Sequence, residues 1–301
     1  MQTFFEYSPE VKQALIEHQP IVALESTLIT HGLPDPLNCE TAIAAENIVR
    51  ENGAIPATIA IINGKIKIGL TTSDLEKLVN DPHVTKASVR DIPHILTKRS
   101  NAGTTVAATV FCADAAGLKI FATGGIGGVH RGDDQDISAD LIELSKTPMA
   151  VICAGAKAIL DLPKTLEFLE TFSIPVIGYR TSSFPAFYTA ETPYILNTHY
   201  DDIASLAAHL KIHWQLNLRS GLLIVNPIPM DAEIPTDVIE PAIKEALKNA
   251  IQKKIYGKEI TPYLLSEVAT VTKGKSIESN ITLIKNNVRL GALLAKHIYT
   301  T

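Results

Sequence analysis

Short apolar runs alternating with longer amphipathic segments limit this chain more than any other feature of its sequence. Runs rich in Val, Ile and Ala occupy residues 21–25, 57–62, 119–123, 150–154, 175–179 and 222–225. They lack the in–out alternation of a half-exposed strand, which marks strands covered on both faces, as in parallel sheets. Helical patterns fall between them, over residues 39–52, 104–116, 138–145, 161–172, 236–254 and 277–298. Asp161 with Pro163 two residues on is a helix-start signal for the fourth of these. Strand and helix in alternation predict an α/β fold, a three-layer α/β/α arrangement with a largely parallel central sheet. No repeat, low-complexity tract or linker divides the chain, so residues 1–301 read as one domain.

Composition narrows the function classes. With 46% hydrophobic residues the chain can fill a core and is no disordered segment. Its 27 Lys and Arg stand against 32 Asp and Glu, and the resulting −5 excludes the basic surface that grips a nucleic-acid polymer. Cys39, Cys112 and Cys153 are odd in number and widely spaced, which argues against a disulfide framework or a structural zinc site. They read as small core residues of a protein in a reducing compartment, most simply the cytoplasm. No signal-peptide pattern opens the chain, and no apolar run reaches the roughly 18 residues of a spanning helix, so no membrane partner is expected.

Several segments hold more polar chemistry than a core requires. Glu25 ends an apolar strand, where open α/β sheets place their ligands. Burial there raises a carboxyl pKa and suits it to deliver a proton, although a loop cap or an ion pair is an equal reading. Lys86 and Arg90 are four apart and can face an anion or simply solvent. Gly103, Thr104 and Thr105 precede a helix, and free amides at such a start bind phosphate, with ordinary capping as the commoner role. Residues 123–132 carry four glycines as GGxGG rather than GxGxxG, with the polar stretch 133–136 behind them instead of a helix. That spacing disfavours a dinucleotide site and suits a loop in close approach to a ligand. Asp136, Ser138 and Asp140 offer oxygens to a hard divalent cation, or an exposed turn and helix cap. Lys157 interrupts a run of small apolar residues. A desolvated amine becomes a nucleophile, whereas a snorkelling one stays an ammonium in water. Asn280 and Asn287 are seven apart on one helix face, with Gly291 on the same stripe, and either amide can reach a ligand or solvent.

The stretches ALESTLITHGLP, TKASVRDIP, GTTVAATVFCADAAG, FATGGIGGVHRG, DISADL, CAGAKAILDLPKTLEFLET, GYRTSSFPAFY and SNITLIKNNVRLGALLA follow the order and spacing of pseudouridine-5′-phosphate glycosidases. The chain resembles that family from about residue 10 to its last helix. The resemblance implies reversible cleavage of pseudouridine 5′-phosphate to uracil and ribose 5-phosphate, with a divalent metal, typically Mn²⁺, in a homotrimer. It implies Glu25 as proton donor, Lys157 as the nucleophile forming an imine with C1′ of the ring-opened ribose, and Asp136 as the metal ligand. Lys86, Val106, Ser138 and Asp140 match substrate-binding positions, and Thr105, His130 and Asn280 pocket positions. The residues agree with such chemistry. Carbon C5 of uracil leaves poorly, so an amine at C1′ must be joined by protonation of C5. Thr104, Thr105 and Ser138 can add neutral hydrogen bonds to phosphate. A lysine-dependent sugar-phosphate aldolase and a non-catalytic sugar-phosphate sensor are the competing readings.

Overall fold

The computed structural model describes residues 2–132, 135–255 and 257–300. Asp133 and Asp134 of the polar stretch lie outside the described residues. The expected strands all form, within a residue or two of the expected ends. From one edge of the sheet to the other the order is Phe5–Tyr7, Lys65–Ile68, Ile55–Ile62, Ile21–Leu24, Ile120–Ala122, Ala150–Cys153, Leu222–Val225, Val176–Tyr179 and His199–Tyr200. Along this path only the Ile55–Ile62/Lys65–Ile68 hairpin is antiparallel. The other pairs run parallel, as continuous apolar runs require: Ile21–Leu24, Ala150–Cys153 and Leu222–Val225 are buried at every position.

Two short strands that the apolar pattern does not reveal extend the sheet beside the site. Ile55–Ile62 pairs with Ile21–Leu24 through its first half and with Ala102–Thr104 through its second. Thr85–Ala87 then lies parallel to Ala102–Thr104. This step brings Lys86 round to the carboxyl end of the central strands.

Helices cover both faces. Leu37–Glu51, Ile203–Gln215 and Lys275–Thr300 pack together on one side, the last across the central strands. There Gly291 faces Val22, Ala122 and Ile152, and an added Cβ would stand 3.2 Å from that of Ala122. Successive strand residues point to opposite faces, so Ala23, Phe121 and Val151 turn to the other layer. That layer contains Val106–Ala115, which packs on Ala139–Leu144 and on the strands Ile21–Leu24 and Ile55–Ile62. The helix expected from residue 104 therefore starts later, because Thr104 completes a strand and Thr105 caps the helix. Cys112 and Cys153 are buried core thiols, pushed up to about 12 by burial, while Cys39 is half-buried; all three are free. No helix among the described residues is long and apolar enough to cross a membrane.

Candidate active site

Adjacent parallel strands deliver their carboxyl ends to one place. Glu25 follows Ile21–Leu24, Thr123 follows Ile120–Ala122, and the turn to Lys157 follows Ala150–Cys153. Here two cavities meet, with Glu25, Thr27, Lys86, Lys157 and Thr261 lining both. The inner one, about 800 Å³ including space open to solvent, lies between Leu24, Leu28, Ala122, Phe187, Leu265 and Ile284, with Asn280 and His31 as polar members of its wall. The outer one, about 990 Å³, is lined by Ser88, Arg90, Thr105, Val106, His130, Asp136, Ser138 and Asp140. The ten residues that the resemblance assigns to the site thus all line one or other cavity.

The charges at the junction set its chemistry. Burial raises the Glu25 carboxyl above its ordinary range, against the opposing pull of the Lys157 ammonium, the Thr123 hydroxyl and Lys86. Thr123 Oγ1 donates to Glu25 Oε1 and fixes the carboxyl in place. The result is a carboxyl group with increased capacity to hold a proton, facing two amines. Burial, and then the neighbouring charge of Lys157, lowers the pKa of Lys86. Neither lysine ammonium makes a hydrogen bond or salt bridge to protein among the described residues. Amines without a salt-bridge partner leave a place for an anion, and a deprotonated one can attack a carbonyl carbon.

The outer cavity is built around Asp140, which is 6% exposed. Its Oδ1 accepts the Ala107 N–H and its Oδ2 the Gly127 N–H, each at 2.8 Å. The carboxylate thereby ties the glycine loop to the first turn of Val106–Ala115 and neutralises part of the positive end of that helix. Thr105 Oγ1 accepts the Ala108 N–H. The Val106 N–H remains at the cavity wall, a donor with no intrahelical partner. A Cβ on Gly127 would stand 2.2 Å from Ser138 Oγ and 2.8 Å from Asp140 Oδ2. The close approach predicted for this loop is thus, at Gly127, an approach to protein side chains. The Asp136 carboxylate is 3.9 Å from His130 Nδ1 and partly open to the cavity. Among the described residues no three His, Cys, Asp or Glu side chains gather as an all-protein metal site. One carboxylate beside a polar, open cavity suits a hard cation that keeps most of its waters.

Two sequence readings change here, and two further residues enter. Thr104 is fully buried; its Oγ1 donates to Ile59 O at 2.6 Å, and its N–H donates to Ser26 Oγ at 2.9 Å. It braces the strand junction and is out of reach of phosphate. Asn287, also fully buried, donates to Thr123 O at 2.8 Å and accepts from Asn226 Nδ2 at 3.1 Å. It holds the strand end that carries Thr123, while Asn280 on the same helix face lines the cavity. Arg131, which no sequence signal marks, donates to Ala158 O at 2.8 Å and Leu160 O at 2.9 Å and pairs with both oxygens of Glu240. It anchors the turn that follows Lys157. Phe187 lines the inner cavity at φ +64°, a conformation that bulky side chains avoid and that loop periodicity cannot signal.

Known proteins share both the sequence and this architecture. Residues 10–297 match the family described as indigoidine synthase A like protein. A pseudouridine-5′-phosphate glycosidase of Caldanaerobacter subterraneus subsp. tengcongensis is 55% identical, over 98% of this chain and 97% of the relative. One from Staphylococcus aureus is 52% identical over the same shares, 98% and 97%. The crystal structure of the prealnumycin C-glycosynthase AlnA in complex with ribulose 5-phosphate superposes with a TM-score of 0.91 at 38% identity, covering 99% of this chain and 97% of that one. An indigoidine synthase A-like protein from Thermotoga maritima gives 0.91 at 33% identity, covering 98% and 97%. The chain therefore belongs to the indigoidine synthase A like protein family, alongside relatives named pseudouridine-5′-phosphate glycosidase.

Proposed function

We propose that the protein reversibly cleaves the C–C glycosidic bond of pseudouridine 5′-phosphate, giving uracil and ribose 5-phosphate. The observation that carries this reading is the meeting of Glu25, Lys86 and Lys157 where an apolar chamber joins a polar one. The inner chamber takes the flat base. The outer one takes the sugar phosphate, with Arg90, Ser88 and the Val106 N–H as donors and Lys86 as the cation between the two. The relatives named glycosidase and the AlnA complex with a pentose 5-phosphate support the same assignment.

The chemistry follows from these positions. Lys157, once it has given up a proton, bonds through its amine to C1′ as the ring oxygen departs and takes up a proton, which leaves an open-chain amino sugar still joined to the base. Glu25, whose carboxyl pKa burial raises, delivers a proton to C5. The C1′–C5 electron pair then returns to the pyrimidine ring as uracil leaves, and the nitrogen lone pair closes a C1′=N imine. Water adds to the imine carbon and releases ribose 5-phosphate and the lysine. Asp136 would hold a divalent ion, Mn²⁺ by resemblance, with Ser138 close by. Such an ion supplies fixed positive charge and ordered waters to the phosphate-side chamber. We assign a homotrimer on the same resemblance, and a cytoplasmic location on the odd number and wide spacing of the cysteines.

Incubation with pseudouridine 5′-phosphate and Mn²⁺, followed by absorbance for free uracil, tests the reading and separates it from an aldolase. Lys157→Ala should abolish both uracil release and the borohydride-trapped adduct with ribose 5-phosphate. Full turnover in that variant would remove the imine mechanism. Chelation should stop the reaction and Mn²⁺ restore it, and indifference to chelator would remove the metal assignment.

A further inference from the structure

His31 belongs to no step above, yet it forms part of the inner chamber wall, within the π-helical turn Leu28–Gly32. Single π-turns recur at functional sites because they bend a helix to re-aim one side chain. His31 Nδ1 lies 2.7 Å from Thr30 Oγ1, and Thr30 Oγ1 is 3.3 Å from Ser26 O. A carbonyl oxygen can only accept; with the Thr30 proton directed to Ser26 O, we assign the tautomer in which the Thr30 oxygen accepts from His31 Nδ1–H. Neutral His31 then carries no proton on Nε2, which makes no hydrogen bond among the described residues. The Thr30 hydroxyl is itself wedged, since a Cβ at Gly103 would stand 2.2 Å from its oxygen. Burial, reinforced by the charge of Lys86, lowers the imidazole pKa and favours the neutral ring.

We propose that His31 is a base-reading residue, whose Nε2 accepts a hydrogen bond from a ring N–H of the pyrimidine in the inner chamber. The proposal rests on the glycosidase reading and names what that reading leaves open, the groups that recognise the base. Uracil presents N–H donors at N1 and N3 and carbonyl acceptors at C2 and C4. The aliphatic and aromatic side chains of the wall supply no acceptor, and His31 joins Asn280 among the polar side chains that line it. Protonation of C5 also places positive charge on the ring, which makes its N–H groups stronger donors as the C–C bond breaks. A neutral imidazole acceptor therefore strengthens its hold in the transition state, while an imidazolium would oppose it.

The test is the synthetic direction with wild type, His31→Leu, His31→Gln and Thr30→Val, each with uracil and ribose 5-phosphate varied separately. Thr30→Val keeps the side-chain shape and removes only the hydroxyl that sets the tautomer. His31→Leu should lose about tenfold or more in kcat/KM for uracil, the worth of one desolvated hydrogen bond. His31→Gln should recover part of that loss, and Thr30→Val should fall between wild type and His31→Leu. Borohydride trapping of ribose 5-phosphate on Lys157 should stay at the wild-type level in all three. Uracil kinetics of His31→Leu within about twofold of wild type would overturn the proposal. Equal loss of the trapped adduct would overturn it too, by making the role structural. Failure of the wild-type enzyme to join uracil to ribose 5-phosphate would instead overturn the glycosidase reading, and this proposal with it.

Discussion

Replacing Asp140 by Ala tests whether this carboxylate is mainly a clamp within the protein. Both of its oxygens accept backbone N–H groups, from Ala107 and Gly127, at 2.8 Å. The side chain is buried, so water replaces it poorly. Each buried donor left unsatisfied costs about 1–3 kcal/mol, and bonds to a charged acceptor lie toward the upper end. Two such donors give an expected loss of about 2–6 kcal/mol, a large part of the roughly 5–15 kcal/mol that holds a domain folded. Asp140→Asn keeps one acceptor oxygen and turns an NH₂ toward the other amide, so it should fall between Ala and wild type. Urea unfolding followed by fluorescence of the single tryptophan, Trp214, measures the difference. Its indole donates to Pro148 O at 3.1 Å, so the signal reports tertiary structure. A loss below about 1 kcal/mol for Asp140→Ala would refute the clamp and return Asp140 to a role in ligand binding alone.

Further outcomes follow from the same geometry. Thr123→Val removes a hydrogen bond that favours ionised Glu25, so its carboxyl pKa should rise further. Because the protonated form delivers the proton, the alkaline limb of the uracil-release profile should move to higher pH; an acid shift would contradict Glu25 as donor. Arg131→Met should slow formation of the trapped Lys157 adduct, because it frees the Ala158 and Leu160 carbonyls and the Glu240 carboxylate from their shared partner. Time courses of borohydride trapping check this, with wild-type rates as the opposing result. Gly127→Ala drives a methyl group toward Ser138 and Asp140. It should lower the thermal midpoint and weaken ribose 5-phosphate binding together, as calorimetry and titration would show.

Much of the layered fold was legible because burial on both faces leaves a signature in each strand by itself. Continuous apolar runs such as 150–154 and 222–225 need no knowledge of their neighbours to be read as interior parallel strands. Thr85–Ala87 and Ala102–Thr104 carry no such run, and their pairing became visible only once Ile55–Ile62 offered its second half as an edge. Within the site, residue type and local position marked Glu25 at a strand end and Lys157 among small neighbours. Depth was not legible. Thr104 and Thr105 are adjacent and chemically alike, yet one is sealed beneath the sheet junction and the other caps a helix at the cavity. Asn280 and Asn287 share a helical face, but two turns of helix carry the second from the cavity wall into the interior.

The sequence by itself determined the fold class, the absence of a polymer-binding charge, and the residue types able to perform imine and proton-transfer chemistry. Those properties are local: hydrophobic period, net charge and the pKa ranges of side chains travel with the chain. Tertiary structure decided which of those groups meet. It set Glu25 against Thr123, 98 residues apart in the chain, brought Lys86 round on an extra pair of strands, and gave the cavity-lining Asp140 two backbone amides to clamp. The physical reason is that partnership and desolvation are pairwise quantities. A carboxyl group does not carry its burial or its hydrogen-bond donors in its own sequence position, and acquires both only when distant strands end side by side.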